Sequence, residues 1–180
     1  GYDVTREYYI NDGGNQINNL VNSIILRYKE LKGEKIEFPL DGYHGVEIID
    51  LAREILAKYP DNVSEEIIKE YANNYLLGNI KKDLKNFNVE FDVWFSEKSL
   101  YDNQKVTEVL NLLKEKGYTY ESEGAVFLKT SLFGDEKDRV LVKNDGNYTY
   151  LLPDIAYHMN KYERKYDYLI DVLGADHHGY

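Results

Sequence analysis

The stretch DRVLVKNDGNYTYLLPDIAYH, Asp138–His158, decides how the chain is read. Arg139–Asn144 and Asn147–Leu151 are rich in Val, Leu, Thr and Tyr and read as strands. Asp145-Gly146 between them reads as a two-residue hairpin turn, in which both central residues need positive φ. Pro153 closes the second strand and suits the first turn of a helix, where a missing N–H costs nothing. Asp154 follows, and its charge favours a helix N-terminus. Tyr150 and Asp154 then flank a strand-to-helix turn from which a phenol and a carboxylate can face one site. On spacing alone a plain helix start with a core tyrosine is the stronger reading, because a first-turn Asp is common.

Downstream of that helix, Tyr168–Leu173 (YLIDVL) reads as a mostly buried strand running into GADHHGY, Gly174–Tyr180. A buried strand whose carboxyl end meets Gly, Asp and two His is typical of the ligand-facing edge of a parallel sheet. Small residues there let a ligand approach the backbone, and Asp176 can accept hydrogen bonds from ribose or amine groups. A merely polar loop is one alternative. A metal site at Asp176, His177 and His178 is another, but adjacent residues at a strand end point in different directions, and no HExxH or Cys/His pattern accompanies them.

Upstream, Arg6–Ile10 reads as a strand and Asn11–Gln16 as a loop with two adjacent glycines. Ile17–Lys32 has helical spacing of Ile17, Leu20, Val21, Ile24, Ile25, Tyr28 and Leu31 and stops at Gly33. No GxGxxG fingerprint is present, so by itself this is an ordinary βα turn. Ile48–Leu56 repeats the helical spacing. Ser64 with Glu65 and Glu66 starts a long helix to about Phe87, with a break expected near Gly78. Its lysines, such as Lys81, Lys82 and Lys85, read as a solvated face. Val89–Phe95 alternates strictly and predicts a half-buried strand. Gln104–Lys116 predicts another helix with Gly117 at its C′ position. Tyr118–Glu121 and Ala125–Thr130 predict short strands around Glu123-Gly124.

Composition narrows the classes. A chain of 180 residues with 43% hydrophobic residues can bury the core of one domain, or of one domain with a large insertion. No apolar run approaches a membrane span, and GYDVTREYYI is neither a signal nor a transit peptide. Lacking an initial Met, the chain reads as a piece of a longer one. There is no cysteine, hence no disulfide framework and no thiolate metal site, which is compatible with the cytoplasm. A net charge of −10 argues against a generic nucleic-acid surface.

Taken together and in order, REYYINDGGNQI, DGYHGVEIIDLA, FDVWFSEKSLY, DRVLVKNDGNYTYLLPDIAYH and VLGADHHGY resemble segments of the catalytic domain of arginyl-tRNA synthetases, and the resemblance covers nearly the whole chain. It implies a class I aminoacyl-tRNA synthetase, which activates an amino acid with ATP to an aminoacyl-adenylate and transfers it to the terminal adenosine of tRNA. The fold class implied is α/β: part of a split class I nucleotide-binding, Rossmann-like fold with a mixed α+β insertion. Residues 1–38 would be the first part of that fold, 39–147 the connective insertion and 148–180 the return to the fold.

By the same resemblance, Tyr150, Asp154 and His177 fall at arginine-binding positions. A planar guanidinium presents paired donors that a carboxylate accepts in bidentate geometry, which a lysine could not reproduce. Gly174, Asp176 and His178 fall near the adenosine of ATP. Asn11, Asp12 and Gln16 lie in a site loop without assigned roles. The implied partners are arginine, tRNA(Arg) and ATP as substrate with Mg, and no tightly bound cofactor, resident metal or membrane. The His-Ile-Gly-His and Lys-Met-Ser-Lys-Ser type signatures that handle ATP in this class are absent from the sequence. The isolated chain is therefore expected to be inactive, with no catalytic residue of its own and weak or no tRNA binding. An acidic, non-catalytic interaction module and a generic nucleotide-binding domain are the alternatives.

Overall fold

The structure, a computed structural model, describes residues 1–12, 15–61 and 63–174, and in the first helix it describes side chains from residue 18 onward. The chain forms two compact units, Gly1–Lys98 and Ser99–Tyr180.

In the first unit, β1 (Glu7–Ile10) pairs in parallel with β2 (Val93–Ser96), in the register Glu7↔Val93 to Ile10↔Ser96. A parallel pair needs a crossover, and here it consists of α1 (Asn15–Leu31), α2 (Val46–Lys58) and α3 (Glu65–Asn86). The helical spacing read from sequence puts one face of each helix into a shared core. Leu20, Val21, Ile24, Ile25 and Tyr28 meet Ile48, Leu51, Ala52 and Ile55, with Ile68 and Ala72 from α3. Ile24 and Ile55 are wholly buried, and each such side chain contributes roughly 1.5–3 kcal/mol of transfer free energy. The buried hydroxyls of Ser23 and Tyr28 in this core are hydrogen-bonded. Ser23 Oγ donates to the Asn19 carbonyl at 2.7 Å and accepts from Tyr43 N–H at 2.9 Å, and Tyr28 Oη donates to the Tyr59 carbonyl at 2.9 Å.

Ser64 caps α3 as its sequence predicts, accepting from Ile67 N–H at 3.4 Å with Glu65 and Glu66 in the first turn. The break expected near Gly78 does not occur: α3 runs on to Asn86, because a single glycine lowers helix propensity without interrupting the hydrogen-bond ladder. The strand predicted from Val89 begins only at Val93. Val89 N–H instead closes the end of α3 on the Leu84 carbonyl at 2.9 Å, after Asn88 turns at φ 58°. The strict alternation also fails, since Val93, Trp94 and Phe95 are all half-buried. Rings cover both faces: Tyr8 and Phe91 lie against Trp94, with Lys81 Nζ 4.6 Å from its ring centre, while Tyr9 stacks on Phe95.

In the second unit, α4 (Lys98–Asp102), a short helix the sequence reading did not foresee, leads into α5 (Lys105–Glu115). β3 (Thr119–Ser122), β4 (Ala125–Leu128) and β5 (Arg139–Val142) form an antiparallel sheet in that order, and α6 (Leu151–Glu163) packs on α5 and β5. Val106, Val109 and Leu110 of α5, Val126 and Leu128 of β4, Leu141 of β5, and Leu152 and Ala156 of α6 are buried. The β3–β4 turn is the true two-residue loop: Glu123 and Gly124 both have positive φ, 50° and 78°. At Asp145-Gly146 only Gly146 does, at 83°. Gly146 N–H donates to the Lys143 carbonyl and Lys143 N–H to the Asn147 carbonyl, so the loop is Asn144–Gly146, one residue longer than expected. Asp145 stays out of the left-handed region because its carboxylate accepts from Asn147 N–H at 2.9 Å.

Two further expectations fail. The second strand, Asn147–Leu151, shrinks to a single bridge between Val142 and Tyr148, because α6 begins at Leu151. Tyr168–Leu173 forms no strand and is not buried: Tyr168 is 72% and Val172 92% exposed. A β-prone run becomes a strand only against a neighbouring strand, and none of the described strands pairs with it. An ion pair ties this segment to α6, Asp171 Oδ1 to the buried Lys161 Nζ at 2.5 Å.

Candidate functional site

The corner between β5 and α6 is built by hydrogen bonds that turn the chain. Thr149 N–H donates to the Leu141 carbonyl at 2.9 Å and Thr149 Oγ1 to the Val140 carbonyl at 2.6 Å, folding the end of the hairpin back onto β5. Tyr150 then occupies the N-cap position with helical φ and ψ, and Asp154 N–H donates to its carbonyl at 3.2 Å. Leu152 and Pro153 point into the core. Tyr150 and Asp154, at i and i+4, therefore share a helix face, with Tyr150 60% exposed and Asp154 half-buried. Tyr150 is a helix-start residue rather than a strand residue, but the juxtaposition expected of the pair is present.

The neighbourhood of this corner is electrostatically settled. Arg139 at the start of β5 grips Asp135 with two bonds, Nε to Oδ2 at 2.7 Å and Nη2 to Oδ1 at 3.0 Å. Chiefly through the Arg139 bond, Asp135 is pushed down to about 2. Asp138, bonded by both Ser131 Oγ and Ser131 N–H, is likewise held below the usual aspartate range.

A second polar group gathers at the carboxyl end of the β1–β2 pair, where ligands of parallel sheets commonly bind. Asn11 is exposed and Asp12 half-buried. Asp12 reaches across to the residues that follow β2: its Oδ2 accepts from Ser96 Oγ at 2.6 Å and its Oδ1 from Lys98 N–H at 2.9 Å. Between those two partners sits Glu97, only 8% exposed, accepting from Tyr9 Oη at 2.8 Å. Burial pushes the Glu97 carboxyl above its ordinary value, and the Asp12 charge adds to the rise, while the Tyr9 hydroxyl acts the other way.

Tyr9, Ser96 and Glu97 were not singled out from sequence. The signal available was local: a polar Ser-Glu-Lys run placed directly after an alternating segment. Of the remaining predicted positions, Gly174 is exposed and follows no strand. Asp176, His177, His178 and the side chain of Gln16 lie outside the described residues. Among the described residues no three metal-ligand side chains converge, and no helix is long and apolar enough to cross a membrane. A polar depression of about 390 Å³, lined by Asn18, Val21, Asn22, Glu65, Glu66 and Lys69, lies on α1 and α3 and includes none of the candidate residues.

Comparison with known proteins assigns the chain to a family. Residues 1–180 match the family model for the catalytic domain of class I tRNA synthetases (R). An arginine–tRNA ligase of Listeria welshimeri is 56% identical over 187 aligned positions, and one of Bacillus subtilis is 54% identical. Each alignment takes in the whole of this chain, which spans only 34% of either relative. A solved structure from Campylobacter jejuni assigned as an arginyl tRNA synthetase superposes with a TM-score of 0.87 at 43% identity, covering 99% of this chain and 40% of that one. An arginyl-tRNA synthetase structure from Plasmodium falciparum, 20% identical with a TM-score of 0.57 over 87% of this chain and 27% of that one, shares the fold. The chain is an α/β segment that belongs to the family of class I tRNA synthetase (R) catalytic domains.

Proposed function

We propose that the chain is the central part of the catalytic domain of an arginine–tRNA ligase in the cytoplasm. In the reaction, the arginine carboxylate attacks the α-phosphorus of ATP, the α–β phosphoanhydride breaks and pyrophosphate leaves. A ribose hydroxyl of the terminal adenosine of tRNA(Arg) then attacks the arginyl carbonyl, and AMP leaves. Residues 1–38 and 148–180 contribute to the nucleotide-binding fold, and 39–147 form its connective insertion. Asp154 accepts the guanidinium as a fork, Tyr150 orients the substrate from the same turn, and His177 completes the arginine side. Gly174, Asp176 and His178 face the adenosine of ATP, which enters with Mg.

The single observation that carries this reading is the presentation of Tyr150 and Asp154 on one helix start, with Tyr150 60% exposed, in a chain 56% identical to an arginine–tRNA ligase. An acidic interaction module would not need a carboxylate and a phenol displayed in this register. A generic nucleotide-binding domain would not need an acidic group at this helix start. Arginine-dependent exchange of pyrophosphate into ATP tests the proposal. The complete parent enzyme should show it and the 180-residue chain alone should not, because charge stabilisation for adenylation comes from signatures outside this sequence. A parent enzyme whose exchange responds to another amino acid, or to none, overturns the reading. So does steady exchange by the isolated chain.

A further inference from the structure

The carboxyl edge of the β1–β2 pair is fastened by one side chain. Asp12 follows β1, yet both of its bonds go to residues at the end of β2: Ser96 Oγ at 2.6 Å and Lys98 N–H at 2.9 Å. These residues bracket Glu97, whose own N–H donates to the Ile10 carbonyl at 3.0 Å and whose carboxylate takes the Tyr9 hydroxyl at 2.8 Å. The Ser96 hydroxyl before Glu97, the Lys98 amide after it, and the amide and side chain of Glu97 itself are thus all held from β1 and from Asp12, two residues beyond it. Each Asp12 oxygen is already committed within the chain, in a geometry suited to bracing and poorly suited to receiving a substrate cation.

We propose that Asp12 is a positioning residue of the arginine-activation site, locking the end of β2 to the end of β1 so that Asn11 and Glu97 keep a fixed register at the ligand-facing edge. This rests on the ligase reading above and assigns Asp12 a role that the family motif leaves open. Displacement of a site edge by about 1 Å is enough to slow a reaction by about 100-fold without removing any group that touches substrate.

The chemistry of asparagine separates bracing from ligand contact. In Asp12→Asn, the amide oxygen can still accept from Lys98 N–H, and the amide nitrogen can donate to Ser96 Oγ, so the brace survives while the charge is gone. In Asp12→Ala both bonds are lost. In the full-length parent enzyme, assayed well below the melting temperature of the weakest variant, Asp12→Ala should lower kcat for arginine-dependent exchange by about 10- to 100-fold. Asp12→Asn should recover to within about threefold of wild type, and Ser96→Ala should cost less on the Asp12→Ala background than it costs alone, since its bond to Asp12 is one of the two already lost. If Asp12→Ala fails to fold, Asp12→Asn together with Ser96→Ala decides. Full activity in Ser96→Ala, or a loss in Asp12→Asn deeper than in Ser96→Ala, overturns the brace. An Asp12→Asn defect as deep as that of Asp12→Ala means the charge itself meets a ligand and likewise overturns it. Wild-type parent enzyme with no arginine-dependent exchange overturns the ligase reading instead, and does so before any variant is compared.

Discussion

The two candidate regions place their acidic groups differently. At the β1–β2 edge, Asp12 and Glu97 are turned onto their own chain, each bonded to a neighbour from the opposite strand or its extension. At the α6 start, the anchoring is done by Leu152, Pro153 and the Thr149 hydrogen bonds, which leaves Tyr150 and Asp154 on the outer part of the helix start. Asp12 and Glu97 fasten one strand end to the other, which shapes a site; Asp154 sits half-buried on a helix start beside an exposed Tyr150, where a ligand can reach it. The contrast predicts that mutations in the first region register in stability and geometry, and mutations in the second in substrate binding.

The sharpest way to break this contrast is Asp154→Asn in the parent enzyme. The substitution keeps size but turns one acceptor into a donor facing the guanidinium. A charge left unpaired in a complex costs roughly 2–5 kcal/mol, so arginine-dependent activity should fall by about 30-fold to several thousand-fold, with much less change in ATP affinity. Fold stability should not drop comparably. A lowered melting temperature with unchanged arginine kinetics would return Asp154 to the role of a helix-start residue, worth about 0.5–2 kcal/mol, and erase the distinction between the regions.

At the β1–β2 edge the corresponding test is Tyr9→Phe. The ring and its stacking on Phe95 remain, but the hydroxyl that donates to Glu97 is gone. A buried acceptor left without its donor costs about 1–3 kcal/mol, and a charged one can cost more. Unfolding by denaturant should therefore show lower stability for Tyr9→Phe than for wild type at neutral pH. Equal stability would mean that Glu97 finds other partners and that this edge is less tightly built than its distances indicate.

How much of this was legible from sequence follows from the range of the interactions. Helices α1, α2, α3 and α5 were readable because their signals are local: apolar residues at helical spacing, Ser64 three residues before the amide it accepts from, Gly117 at φ 72° where α5 ends. The juxtaposition of Tyr150 and Asp154 is local as well, four positions along one helix. The Asp12 brace was not readable, because Asp12 and Ser96 are 84 residues apart and the Tyr9–Glu97 bond spans 88. No periodicity encodes such a contact. Tyr168–Leu173 was misread for a related reason: its composition favours a strand, but strand formation depends on a partner that local sequence does not contain. The Asp145-Gly146 turn was misread by one residue because an aspartate side chain can stabilise its own loop in more than one geometry, and the Asn147 amide selects the longer one.

The smallest effect, and the one that compares the regions by sign alone, is the response of stability to pH. Glu97 has its carboxyl raised above the ordinary 4.5, first by burial and then by the Asp12 charge. As pH climbs from 4.5 through the raised folded value, the unfolded chain gives up a proton that the folded chain still holds. Folding is therefore progressively penalised over that window. Asp135, beside the sheet of the second unit, is the reverse. Arg139 holds it at about 2 against an ordinary 3.8, so its contribution is present above 3.8 and disappears as pH falls from 3.8 to about 2. Water screens the Asp135 pair, whose side chains are 26% and 40% exposed, and reduces its effect on stability. Glu97→Gln should thus gain on wild type as pH rises above 4.5, while Asp135→Asn should lose its disadvantage only below 3.8. Melting temperatures of both variants across pH 2 to 7, each referred to wild type in the same buffer, check this. Two difference curves of the same sign would mean that the Glu97 and Asp135 carboxyls sense one kind of environment, and that burial at Glu97 does not outweigh its hydrogen bond as the structure indicates.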